Sequence, residues 1–269
     1  MHRGRGASRP AGPGAGRRGG LAGRPAPGAA AALGLLTLLA LLTLAGGPAS
    51  AASLPPLTDG DRVGAAWHVA TLPQQGSKPV TRFAAEVLDG LPALRVDADR
   101  SYGNLVFDLP AGPLPARLRW SWRLQRPNPA ADLYRRSGDD VAAKVCVSFD
   151  LPLDRVPFTE RQILRLVRAS SGQALPAATV CYVWAGSEPR GALIANAYTR
   201  RVRYIVLRNA SDGAGVWADE SRDLAADFLR AFADESAQVP PLTAVVVGGD
   251  ADNTGLHTVG HVSGLRFEP

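Results

Sequence analysis

Between Arg117 and Leu124 the chain alternates without a break. Leu118, Trp120, Trp122 and Leu124 fall on one parity, and Arg117, Arg119, Ser121 and Arg123 on the other. A period of two is satisfied only by an extended strand, because successive side chains of a strand point to opposite faces. A helix would scatter both tryptophans and arginines around its circumference. The strand therefore has one dry and one wet face: tryptophans in a core and arginines in solvent, or one of the two sets in a binding cleft.

Other segments carry weaker versions of the pattern. A first edge strand is expected within 63–72, with Trp67 and His68. Strands at 82–88 and 91–98 form a hairpin closed by Asp89-Gly90, a dipeptide suited to the tight turns that match strand twist. Further strands are read at 103–109, 141–149, 179–184, 202–207, 242–247 and 258–267. One helix opens after Pro157, with a capping box from Thr159 to Gln162. It carries Arg161, Arg165 and Arg168 on one face and Ile163, Leu164 and Val167 on another. A second runs from Asp219 or Ser221 to Ala233, its apolar stripe made by Leu224, Phe228, Leu229 and Phe232. Short strands with turns every ~8–15 residues and two short helices predict a mainly β protein, an antiparallel β-sandwich.

The N-terminus is a different kind of sequence. Six arginines and no acid lie between Met1 and Arg24, an apolar stretch runs from Ala29 to Ala45, and Ala49-Ser50-Ala51 has small residues at a cleavage spacing. This is the plan of a secretory signal peptide. The expected organisation is a signal peptide over 1–51, a Pro-rich linker over 52–62 and a single domain over 63–269. An uncleaved anchor is the other reading, and a membrane is a partner only in that case. The cut also disposes of the net charge of +6, because 24 basic residues remain against 24 acidic ones. A neutral domain has no basic footprint, so no nucleic-acid partner is expected. Export predicts a periplasmic or extracellular, oxidising location. There Cys146 and Cys181, each inside an expected strand, either form a disulfide or pack as two small buried thiols.

The candidate site is the stretch after the last apolar run, Val245-Val246-Val247-Gly248-Gly249-Asp250-Ala251-Asp252-Asn253-Thr254-Gly255. A strand that ends in glycines and delivers two carboxylates, an amide and a hydroxyl can present groups to a ligand. It can equally be a polar turn whose side chains cap their own backbone. The alternating oxygens at Asp250, Asp252 and Thr254 imitate the start of a calcium loop. Position twelve is His261 rather than an acid, so the chain holds no EF-hand. No cofactor is expected, with calcium the one ion the spacing allows. Gly138-Asp139-Asp140 and Glu220-x-Arg222 are expected to meet this loop. Glu220, Arg222 and Asp227 also suit a salt-bridge network at a helix start. Paired carboxylates could run glycoside hydrolysis, but no catalytic signature is present. For a sugar, aromatic platforms beside planar polar groups are needed. Trp184, Tyr198, Trp217 and Trp67 flank polar loops, and Asn196 adds an amide.

Taken together, Leu118-Arg119-Trp120-Ser121-Trp122, Gly138-Asp139-Asp140, Tyr182-Val183-Trp184, Asn196-Ala197-Tyr198-Thr199-Arg200, Trp217 with Glu220-x-Arg222 and Asp227, and Asp250 to Gly255 resemble the family of bacterial secreted proteins called domain of unknown function 3047. The resemblance covers about Trp67 to Phe267. It implies a single periplasmic domain of jelly-roll or galactose-binding-like form and implies no activity. The two cysteines depart from the residues expected at those strand positions. The functional expectation is a secreted, non-catalytic sandwich that binds a glycan or other cell-envelope ligand through Asp250, Asp252, Asn253, Thr254, Asp139, Asp140, Trp184, Asn196, Glu220 and Arg222. The alternatives are a carboxylate-dependent glycoside hydrolase or lyase acting on envelope polysaccharide, and a purely structural envelope protein.

Overall fold

The computed structural model describes residues 53–71 and 76–268. The expected signal peptide, 1–51, lies outside them. The strands in chain order are β1 (Thr58–Asp59), β2 (Arg62–Val63), β3 (His68–Ala70), β4 (Arg82–Leu88), β5 (Leu91–Asp99), β6 (Asn104–Asp108), β7 (Arg117–Arg126), β8 (Ala143–Phe149), β9 (Ala178–Trp184), β10 (Leu193–Ala195), β11 (Val202–Arg208), β12 (Ala218–Asp223), β13 (Leu242–Gly248) and β14 (His257–Glu268). The helices are α1 (Phe158–Ser171) and α2 (Leu224–Ala231). Among the described residues, no helix is long and apolar enough to cross a membrane.

The protein is a mainly β sandwich of two sheets. One has seven strands in the order β10-β11-β9-β8-β13-β6-β3, the other five in the order β12-β7-β14-β5-β4. β7, in the five-stranded sheet, packs its apolar face against the other sheet. On β7, Leu118, Trp120, Trp122 and Leu124 are all buried, while Arg117, Arg119 and Arg123 face outward. Trp120 lies 5.3 Å from Tyr182 and Trp122 5.7 Å from Trp184, ring centre to ring centre. Those partners belong to β9 of the other sheet. Large tilted rings thus fill the space between the layers, where each buried aromatic removes on the order of 150–250 Å² from water. The tryptophans are core, as the plainer reading had it.

The strands β8 and β9 read as continuous apolar runs because both of their faces are covered. Their inner residues join the intersheet core. Their outer residues join a second cluster with Leu133, Val141, Ile194, Tyr204 and Val206. Cys146 and Cys181 sit directly opposite each other across this antiparallel pair and form a disulfide. It closes a separation of 35 residues, worth about 3–4 kcal/mol in the chain-entropy description.

Several expectations need correction. The pairing of β9 with β11 is parallel, so the sandwich is not wholly antiparallel. The stretch read as a linker is partly structured. There β1 pairs with β2, Leu57 is buried, and the Trp67 indole donates to the Pro56 carbonyl. The expected second helix begins late: residues 218–223 first form β12, paired along β7. Strand pairing beat helix propensity there because β7 otherwise presents an open edge. Asp223 then caps α2 by accepting from the Ala226 backbone at 2.8 Å. The capping box at Thr159 is absent, since the cap lies two residues earlier, at Pro157, and Thr159 is already inside α1.

Candidate functional site

The polar loop after β13 is held at the end of the seven-stranded sheet by close backbone approaches. A side chain at Gly248 would meet the Asn104 amide oxygen at 2.4 Å, and one at Gly249 the Ala142 carbonyl at 2.8 Å. Gly249 therefore lets the segment before β8 lie directly on the end of β13, and Gly248 leaves room for Asn104 and the Lys144 side chain. Reciprocal bonds fix the contact: the Asp250 backbone donates to the Val141 carbonyl at 2.9 Å, and the Val141 backbone donates to the Asp250 carboxylate at 2.6 Å.

Each carboxylate in this meeting place has a separate task. Asp140 is fully buried and accepts from the backbone N–H groups of Asn253 and Thr254, at 3.1 and 2.7 Å, and from the Thr254 hydroxyl at 2.6 Å. Asp250 is buried and accepts from the Lys144 ammonium at 2.7 Å. Burial pushes its carboxyl above the ordinary range, with Lys144 pulling the other way. The same burial opposes the charge on Lys144, but Asp250, 2.7 Å away, holds the ammonium above its usual value. The Lys144 ammonium also lies over the Tyr102 ring, 5.1 Å from its centre. Asp139 turns the other way, accepting from Asn196 at 2.5 Å and from the Tyr204 hydroxyl at 3.2 Å. Burial, and then the nearby Asp250 charge, push the Asp139 carboxyl up to about 6.

Closer to solvent, Asp252 accepts from Lys78 at 2.5 Å, and its second oxygen is buried without a hydrogen-bond partner. The Tyr198 hydroxyl donates to the Asn253 side chain at 2.7 Å, and the Arg136 guanidinium lies 5.2 Å from the Tyr198 ring centre. Tyr198 itself is 54% exposed. The result is a braced polar surface with one exposed aromatic ring. Among the described residues, no group of three histidine, cysteine or acidic side chains is placed to hold a metal ion.

The structure thus brings Asp139, Asp140, Asn196, Asp250, Asp252, Asn253 and Thr254 together and leaves three expected residues out. Trp184 is buried in the intersheet core, its indole donating to the Asn209 carbonyl. Glu220 and Arg222 belong to β12 of the other sheet. Glu220 accepts from the Trp122 indole and from Arg208, and Arg222 pairs with Asp227 at 2.6 Å. The expected helix-start network exists in that last pair, bridging β12 and α2, with the Tyr182 hydroxyl also donating to Asp227. They miss the loop because residues 218–223 are committed to the edge of β7. Of the other aromatics, Trp67 is buried and Trp217 is half-buried, donating to Asp89. Sequence reasoning overlooked Lys144, Tyr204, Tyr102 and Lys78. Lys144 had a signal, a lone cation inside an apolar strand, which calls for a buried partner. Tyr204 looked like an ordinary strand aromatic.

Residues 65–266 match the family described as "Protein of unknown function (DUF3047)". No curated protein matches the chain. Among solved structures, endoglucanase cel12A from Rhodothermus marinus is similar at 16% identity and a TM-score of 0.37, over 80% of this chain and 96% of that one. Endoglucanase 3 of family GH12 from Trichoderma harzianum is similar at 9% identity and a TM-score of 0.41, over 82% of this chain and 98% of that one.

Proposed function

We propose that this chain, which belongs to the DUF3047 family, is an exported, non-catalytic β-sandwich that binds a glycan or another cell-envelope ligand. The binding surface is the one around Tyr198, Asn253 and the Lys78–Asp252 pair. One observation carries this reading. The buried carboxylates are consumed in bracing the loop: Asp140 on the Asn253 and Thr254 backbone, Asp250 on Val141 and Lys144. What remains facing solvent is an exposed tyrosine ring beside an amide and the half-exposed Lys78, whose partner Asp252 has a buried side chain. An aromatic face with planar polar neighbours suits a sugar, whose C–H faces stack while its hydroxyls take hydrogen bonds. Export through the N-terminal segment puts such a surface in the periplasm or outside the cell.

A glycan-array screen of the secreted protein, with and without calcium, tests it. Binding to envelope glycans is expected, with loss in Tyr198→Ala and weakening in Asp252→Ala. Absence of binding under every condition would leave the purely structural reading in its place. The hydrolase or lyase alternative draws its support from Asp139, whose raised carboxyl is suited to proton transfer near neutral pH. Release of reducing ends from an envelope polysaccharide, abolished by Asp139→Asn, would favour that alternative.

A further inference from the structure

Helix α1 (Phe158–Ser171) sits on the sandwich in an unusual orientation. Its one buried residue is Leu164. At 100° per residue, Phe158, Thr159, Gln162, Ile163, Leu166, Ala169 and Ser170 occupy an arc of about 140° opposite Leu164. All seven are exposed, Phe158 by 66%, Ile163 by 57% and Leu166 by 70%. That arc is therefore made of uncharged residues and carries three large apolar side chains, with the Arg161 guanidinium 5.5 Å from the Phe158 ring centre at its edge. A surface helix normally turns such a face inward.

The charges lie along one edge of that face. Arg161, Arg165 and Arg168 fall within an adjoining arc of about 60°. The helix's one acid, Glu160, is on the other side, paired with the buried Arg201 at 2.6 Å. Arg201 in turn pairs with Glu235 at 2.6 Å, and the Arg168 guanidinium donates to the Leu175 carbonyl at 2.8 Å. These bonds fix the rotation of α1, so the apolar face cannot roll inward. Arg165 is exposed and has no ion pair among the described residues.

We propose that the outward face of α1 is a docking surface for an anionic phospholipid bilayer. The helix would lie in the plane of the interface. Phe158, Ile163 and Leu166 would enter the boundary between headgroups and acyl chains, and the flanking arginines would meet lipid phosphates. Charge complementarity selects a bilayer over a neutral apolar partner. Size argues against a second copy of the chain. A helix of this length presents a strip of about 20 by 10 Å, roughly a quarter of the ~800 Å² per partner that a stable dimer buries.

The test is co-sedimentation of the full chain with vesicles of phosphatidylcholine alone or with phosphatidylglycerol added. The comparison proteins are Ile163→Glu/Leu166→Glu and Arg165→Glu. All carry the same N-terminal segment, so any binding through that segment is common to them. Thermal melts check that the exposed substitutions leave the fold intact. The expected result is binding that needs phosphatidylglycerol, weakens with salt and falls about tenfold or more in the double variant, with a smaller loss in Arg165→Glu. Equal binding by all three proteins, equal binding to both vesicle types, or no binding at all would overturn the proposal. So would a double variant that keeps vesicle binding but loses self-association in sedimentation velocity, which would assign the face to a second copy.

Discussion

Asp140 is the residue on which the polar loop depends most. It accepts from two half-buried backbone N–H groups and from the Thr254 hydroxyl, which also accepts from the Asn128 amide. Leaving such donors unmatched costs more than the bonds themselves are worth on average. Asp140→Ala is expected to destabilise the protein by about 2–4 kcal/mol, read as a lower urea midpoint at unchanged slope. A loss within a few tenths of a kcal/mol would mean the loop closes without the carboxylate. Asp252 is also buried along its side chain and pairs through one oxygen with the half-exposed Lys78, so the same unfolding experiment on Asp252→Ala separates a folding effect from a binding effect.

At the scale of elements, the two helices separate sequence motif from cap. Thr159 and Gln162 have capping-box spacing, but Pro157 occupies the cap and no side chain satisfies the first turn of α1. Asp223 has no such spacing signature and does cap α2. Thr159→Ala is therefore expected to change stability by less than about 0.5 kcal/mol, and Asp223→Ala to cost about 1 kcal/mol. Paired chemical denaturation curves would show the difference; equal losses would return the cap to Thr159. The hairpin of β4 and β5 was legible because Asp89 and Gly90 both adopt the left-handed backbone, with φ of 53° and 80°, that its turn demands. The edge strand β12 was not legible. Its residues Ala218 to Asp223 have no strong strand pattern and are extended because β7 offers them a partner.

For the whole molecule, pH dependence follows from the carboxyl that burial raises. Asp139 goes from an ordinary value of 3.8 to about 6 on folding. The folded state then holds this proton more tightly than the unfolded chain. The stability so contributed is complete below 3.8 and is lost as pH rises through 6. Asp234 works oppositely, held low chiefly by hydrogen bonding to Arg203, and loses its contribution as pH falls. The comparison that isolates Asp139 is with Asp139→Asn, which cannot titrate. The melting temperature of the variant relative to the native protein is expected to rise from pH 4 to pH 7. A constant gap across that range would show that Asp139 titrates as an ordinary carboxyl.

The sequence by itself determined the sandwich. Local alternation in β7, the Asp-Gly hairpin turn and the continuous apolar runs of β8 and β9 each specify which faces are dry, and burying those faces requires two layers. It led to the expectation that Asp139 and Asp140 meet the loop from Asp250 to Thr254, which holds, and that Glu220 and Arg222 do so too, which does not. Only the tertiary structure decided what that meeting place is. Whether a carboxylate is exposed or spent depends on which backbone N–H groups and cations lie within 3 Å of it. Those neighbours, Val141, Lys144, Asn253 and Thr254, come from segments over a hundred residues apart. The same long-range pairing moved Glu220 and Arg222 to the other sheet and turned the uncharged side of α1 toward solvent. Which of a helix's faces a fold buries is settled by contacts that no window of local sequence contains.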